Sequence, residues 1–215
     1  YGYANFSGGH QINKALFNKI PATDVRKGWW IDENCFSPNL DETQLYYVQD
    51  YCGYRPYTHV KFAPYNYEVD TSTNANDIPL MRIEEMYLIK AEAEAMAGNL
   101  AAGKATLEAF VQTYRNPEYT CSLTGTALLS EVFLQKRIEF WGEGIVYFDY
   151  KRCPELLQLN RGYKGTNHPE LARFNCDGLA PWFNFPLNGY EAQDNKALTE
   201  TNNPDPSGSV ELWME

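Results

Sequence analysis

The run EFWGEGIVYFDYKR, Glu139 to Arg152, crowds three carboxylates, two cations and five aromatic rings into one short segment. Glu139 and Glu143 stand four apart, the spacing that puts two side chains on one face of a helix. Paired carboxylates are the machinery of glycoside hydrolysis, in which one carboxyl stays protonated as the acid while its partner, across a cleft, stays ionised. Two Glu on one helical turn beside arginines meet that requirement poorly, because a neighbouring guanidinium favours the charged carboxylate. The spacing instead predicts an internal ion network of Arg137, Glu139, Glu143, Asp149 and Arg152, whose cations neutralise carboxylates that Phe140, Trp141 and Phe148 would desolvate. Glycoside hydrolysis by Glu139 and Glu143 stays open as an alternative.

Other chemistries find less support. His10, His59 and His168 are isolated in loops, with no HExxH-type spacing, so no metal site is expected. No GxSxG elbow and no Gly-rich phosphate loop occurs, and no cofactor is implied. Five cysteines lie far apart without a CxxC pair. Their odd number leaves at least one free thiol, and Cys35 with Cys52 is the pair best suited to a disulfide in an oxidising compartment. With 28 Asp and Glu against 18 Lys and Arg, the chain would repel a phosphate backbone, which argues against nucleic acid. Aromatics reach 15 %, including 16 Tyr. Such rings suit the apolar faces of sugars as well as a protein core. No apolar stretch approaches the roughly 18 to 20 residues of a membrane span, and the opening residues, without Met or leader, suggest a processed or truncated chain, soluble as given.

The elements that must position these residues follow from periodicity. Residues 1–76, rich in Gly, Pro, Asn and Tyr, read as loops with short strands at Gln44–Tyr51 and Tyr57–Phe62. Residues 77–158 read as helical hairpins. Asn76 or Asp77 as N-cap and Pro79 in the first turn open a helix whose apolar stripe is Leu80, Ile83, Tyr87, Ala91 and Ala95, with Glu85, Lys90, Glu92 and Glu94 on other faces and Gly98-Asn99 as its end. A second helix, Leu100 to Arg115, must fold back on it, with Ala91, Ala95, Ala101 and Ala105 allowing close approach. A third runs from about Ala127 to Trp141, and a fourth from near Gly142–Gly144 carries Tyr147, Phe148, Tyr150 and Leu156. Two such hairpins in series make a short tetratricopeptide-like solenoid. Residues 159–215 read as a loop-rich closing segment of the same single domain, 1–215.

Four stretches resemble the SusD/RagB family of surface glycan-binding lipoproteins from Bacteroidetes. They are TDVRKGWW (Thr23 to Trp30), DIPLMRIEEMYLIKAEAEAMAGN (Asp77 to Asn99), QKRIEFWGEGIVYFDYKR (Gln135 to Arg152) and FPLNGYEAQDNKALTETNNP (Phe185 to Pro204), in the family's order. Val146 and Thr201 depart from residues common in the family. The resemblance implies a mainly α fold, a SusD-like α-α superhelix of tetratricopeptide-like hairpins with extensive loops and a few short strands, of which this chain is the C-terminal portion. It implies a non-catalytic protein of the cell outer membrane, anchored through an N-terminal lipid outside this chain, that binds an oligosaccharide or polysaccharide and delivers it to a SusC-like TonB-dependent transporter in nutrient uptake. A protein-interaction module of that uptake complex is the alternative.

The expected structural network, with the Arg of the first helix included, is then Arg82, Arg137, Glu139, Glu143, Asp149 and Arg152. Ligand capture falls to ring-bearing loops: Trp29, Trp30, Tyr46, Tyr47, Tyr51, Tyr54 and Tyr57 early in the chain, and Trp182 late.

Overall fold

The structure is a computed structural model that describes residues 9–51, 53–62, 79–156, 158–185, 187, 189–198 and 210–214, with the backbone alone at residues 47, 51, 181 and 192. These residues are mainly helical, with seven α-helices and a two-stranded sheet. They divide into two compact units, Tyr1–Val146 and Tyr147–Glu215. Among the described residues no helix is long and apolar enough to cross a membrane.

The first unit opens with α1 (Lys14–Phe17), where the Asn13 side chain accepts the Ala15 N–H at 2.9 Å. Helix α2 (Glu42–Tyr46) and a wide helical turn over Tyr47–Tyr51 occupy the run expected as a strand. The reason is a reciprocal cap: the Gln44 N–H donates to Asp41 Oδ1 at 2.9 Å, and the Asp41 N–H donates to Gln44 Oε1 at 3.0 Å. That local pair outweighs the β preference of Tyr and Val. The second expected strand, Tyr57–Phe62, shrinks to isolated bridges, Gln11 with Thr58 and Trp30 with His59.

Three long helices follow: α3 (Ile83–Met96), α4 (Leu100–Tyr114) and α5 (Gly125–Glu139). Helix α3 starts after the extended Arg82, so Pro79 lies ahead of it, and the proposed caps Asn76 and Asp77 fall outside the described residues. Its buried face is Leu88, Ala91, Glu92 and Ala95, whereas Leu80 and Ile83 are 88 % and 67 % exposed. Apolar residues occur on several faces of this helix, with Met86, Ile89 and Met96 also exposed, so periodicity alone misplaced the stripe. Glu92 is buried because Lys136 donates to it at 2.5 Å.

The helix ends with Gly98 at φ +85°, its N–H on the Ala95 carbonyl and the Asn99 N–H on the Glu94 carbonyl, the paired bonds of a left-handed C-terminal cap. Helix α4 folds back at once, and a Cβ on Gly103 would sit 2.7 Å from the Ala91 carbonyl oxygen. The close approach is therefore made by Ala91, Ala95 and Gly103, while Ala101 and Ala105 face outward. Leu88, Leu107, Phe110, Val111, Leu128, Val132 and Phe140 join the three helices in one core, and Ile12, Ile20, Trp30, Tyr57 and Ile138 form a second core under the loops.

Helix α6 (Ile145–Arg152) spans the boundary and ends before Leu156. In the second unit, β1 (Leu159–Asn160) pairs antiparallel with β2 (Asn175–Cys176). Leu159, Ala180 and Phe183 form its small core with Tyr147, Tyr150, Phe174 and Trp182 packed against it, and α7 (Gly189–Asp194) follows.

Candidate functional site

The carboxylate of Glu139, at the last residue of α5, is fully buried and meets three guanidinium groups. Arg115 grips it with a fork, Nε to Oε2 and Nη2 to Oε1, both at 2.8 Å. Arg82 Nη1 donates to Oε1 at 2.9 Å, and Arg26 Nη1 approaches Oε2 at 3.4 Å. Arg82 also reaches across to Glu143, Nε to Oε2 at 3.0 Å and Nη2 to Oε1 at 2.8 Å, where Lys61 Nζ donates as well. The same lysine donates to the backbone carbonyls of Glu139 and Trp141, at 2.6 and 3.2 Å, and so satisfies acceptors left open at the C-terminal end of α5. Arg26 is itself clamped by Asp24, Nε to Oδ1 at 3.0 Å and Nη2 to Oδ2 at 2.7 Å, and donates to Gln135 Oε1 at 2.5 Å. Glu84 accepts from Arg115 at 2.9 Å.

Arg26, Lys61, Arg82 and Arg115 thus face Asp24, Glu84, Glu139 and Glu143, four charges of each sign. Trp29 lies against the cluster, with Lys61 Nζ 4.8 Å and Arg115 Cζ 5.7 Å from its ring centroid. Burial alone would raise the pKa of Glu139, but the hydrogen bond and charge of Arg115, with Arg26 and Arg82, outweigh it and hold the carboxyl below its ordinary range. Burial lowers the pKa of Lys61 despite its bond to Glu143. Arg82 and Arg115 are shifted up, because their carboxylate partners exceed the burial penalty. A general acid for glycosidic cleavage needs its carboxyl protonated near neutral pH. Glu139 is held the other way, and Glu143 shares its guanidinium.

The remaining members of the expected network are placed elsewhere. Arg137 is half-buried and makes no ion pair among the described residues: two positions from both Gln135 and Glu139, it projects from the opposite side of α5. Asp149 and Arg152 pair with each other at 2.6 Å in the second unit. Five cluster members, Asp24, Arg26, Lys61, Glu84 and Arg115, were not singled out from sequence. Asp24 and Arg26 carried one signal, their place in TDVRKGWW; Lys61 and Arg115 carried none, because their partners are distant in the chain.

Of the predicted stacking rings, Trp30 is 1 % exposed and Tyr57 is buried, both in the second core of the first unit. Trp30 meets Trp29 at 6.1 Å and Trp141 edge-on at 5.7 Å, and Tyr57 meets Phe17 at 5.2 Å. Neither ring is open to a ligand. Tyr46 is 54 % exposed, and Trp29 and Tyr54 are half-buried. The side chains of Tyr47 and Tyr51 lie outside the described residues. In the second unit Trp182 is half-buried, edge-on to Phe174 at 4.6 Å, and Phe148, Phe185 and Tyr190 are exposed rings that sequence reasoning did not select. Cys35 keeps a free thiol that donates to the Tyr54 carbonyl, and its proposed partner Cys52 lies outside the described residues. Among the described residues no group of three or more His, Cys, Asp or Glu side chains is placed to hold a metal ion.

Comparison with known proteins gives two results. The family model described as the SusD family matches residues 25–206. A crystal structure of a SusD-like carbohydrate binding protein from Bacteroides vulgatus superposes with a TM-score of 0.54 at 20 % identity, over 86 % of this chain and 40 % of that one. The chain therefore spans a little under half the length of that protein, and the likeness is one of fold. Comparison with curated proteins gives no match.

Proposed function

We propose that this chain, which belongs to the SusD family, forms part of a non-catalytic protein of the outer-membrane surface that binds an oligosaccharide and passes it to a SusC-like TonB-dependent transporter. The observation that carries the reading is the family match across residues 25–206. The geometry of the first unit supports capture over cleavage, since the carboxylates with hydrolase spacing are committed to Arg26, Arg82, Arg115 and Lys61. Sugar rings offer apolar C–H faces to aromatic planes, and of the rings expected to take them Tyr46 is exposed and Trp29 and Tyr54 half-buried in the first unit, with Trp182 half-buried in the second.

A panel of neutral and acidic oligosaccharides, scored by retardation in affinity gels and by thermal shift, tests this function. At least one glycan is expected to bind, with retardation weakened roughly twofold to tenfold in Tyr46→Ala or Trp182→Ala, on the scale of the roughly 0.5–1.5 kcal/mol that pairs of aromatic rings contribute. A panel without any retained glycan ends the reading.

A further inference from the structure

In the second unit, residues 161–174, the connection between β1 and β2, carry cations in an otherwise acidic chain of net charge −10. Arg161 is half-buried, and among the described residues its guanidinium makes no ion pair; its Cζ lies over the Phe174 ring, 4.8 Å from the centroid. Arg173 also makes no ion pair among the described residues, and its Nε donates to the His168 backbone carbonyl at 2.9 Å. His168 itself has a buried Nε2 without a hydrogen-bond partner among the described residues. The one carboxylate of the connection, Glu170, is exposed and pairs with none of them.

The frame around these groups is built. Asn175 Oδ1 accepts the Arg161 and Gly162 N–H groups at 3.1 and 2.9 Å, and Thr166 Oγ1 donates to the Arg161 carbonyl at 2.8 Å. The Trp213 N–H donates to the Arg173 carbonyl at 2.6 Å, and Gly162 packs so closely on Trp213 that a Cβ there would clash with the Trp213 side chain. Phe174 in turn rests on the edge of Trp182.

A half-buried guanidinium without a carboxylate is costly, since desolvation is not repaid. Burial lowers the pKa of Arg161, with only Tyr150 acting against it, and burial together with the charge of Arg161 lowers that of His168. The contrast with the first unit is sharp, where Arg26, Arg82 and Arg115 all hold carboxylates. An oxyanion seated beside Arg161 would supply the missing charge, and a planar carboxylate or a sulfate suits a guanidinium fork. The Debye length of about 10 Å at 0.1 M salt leaves such a contact governed by its local cations and not by the distant acidic surface.

We propose that Arg161, His168 and Arg173, beside the Phe174–Trp182 ring pair, form a subsite for the carboxylate of a uronic-acid saccharide. The proposal rests on the glycan-binding reading and adds a substrate class to it. Titration calorimetry on the whole 215-residue chain, with trigalacturonate, its neutral methyl ester and inorganic sulfate, separates the sources of the anion. Trigalacturonate is expected to bind at least tenfold more tightly than the ester, and Arg161→Gln is expected to erase that preference. Should that variant not fold, imidazole 15N NMR of the unaltered chain serves: trigalacturonate raises the His168 pKa by offsetting the Arg161 charge, and the ester leaves it in place. Equal affinity for acid and ester, or a preference that survives Arg161→Gln, overturns the subsite while leaving glycan binding intact. Sulfate binding without uronate binding overturns the saccharide assignment. Loss of every saccharide, neutral ones included, removes the glycan reading itself.

Discussion

Glu139 shows how three guanidinium groups settle the state of one carboxylate. With its folded pKa held below the ordinary value, its contribution to stability is present above the unfolded value of about 4.3 and drains as pH falls through the folded one. Glu139→Gln leaves Arg26, Arg82 and Arg115 short of a buried partner, a loss of about 3–5 kcal/mol at pH 7. Urea unfolding should record that loss at pH 7 and a shrinking gap between variant and parent as the pH drops below about 4; a gap independent of pH would contradict the charged state assigned here. His59 acts at higher pH. Burial, with the charges of His10 and Lys61, lowers its pKa to about 3, so the folded protein keeps it neutral while the unfolded chain takes up a proton below about 6.5. Stability should therefore fall as pH drops from about 6.5, at up to roughly 1.4 kcal/mol per pH unit, and His59→Gln should flatten that slope.

Among the elements, the α3–α4 hairpin depends on a single missing side chain. Gly103→Ala would gain about 1 kcal/mol in helix propensity at an open site, but here its methyl meets the Ala91 carbonyl at 2.7 Å and the Ala95 Cβ at 3.1 Å. Overpacking costs about 1–3 kcal/mol, so a lower Tm by scanning calorimetry is expected; a rise in Tm would show that the helices separate freely. The existence of α3, α4 and α5 was readable from 3.6-residue periodicity and from Gly98-Asn99, whose cap is local. Their buried faces were less readable. Glu92 looked solvent-facing because its partner Lys136 is 44 positions away. The strand expected at Gln44–Tyr51 missed the Asp41–Gln44 cap, a signal that was present in the sequence.

At the scale of the whole molecule, eight charged side chains of the first unit neutralise one another, which commits both carboxylates of hydrolase spacing to cations. Incubation with oligosaccharides should release no reducing ends, from the parent chain or from Glu143→Gln; release abolished by that substitution would restore the hydrolase reading. The residues in order were enough to place the chain in its family and to foresee a mainly helical fold with Glu139 and Glu143 near arginines, because helix periodicity, caps and motif spacing are properties of neighbours in the chain. Tertiary structure alone chose Arg26, Lys61 and Arg115 as the partners, took Trp30 and Tyr57 into the core and left Arg161 without a carboxylate among the described residues. Those outcomes depend on which distant groups packing brings within a few ångströms, and burial there decides whether a charge or a ring is satisfied by protein or left for a ligand.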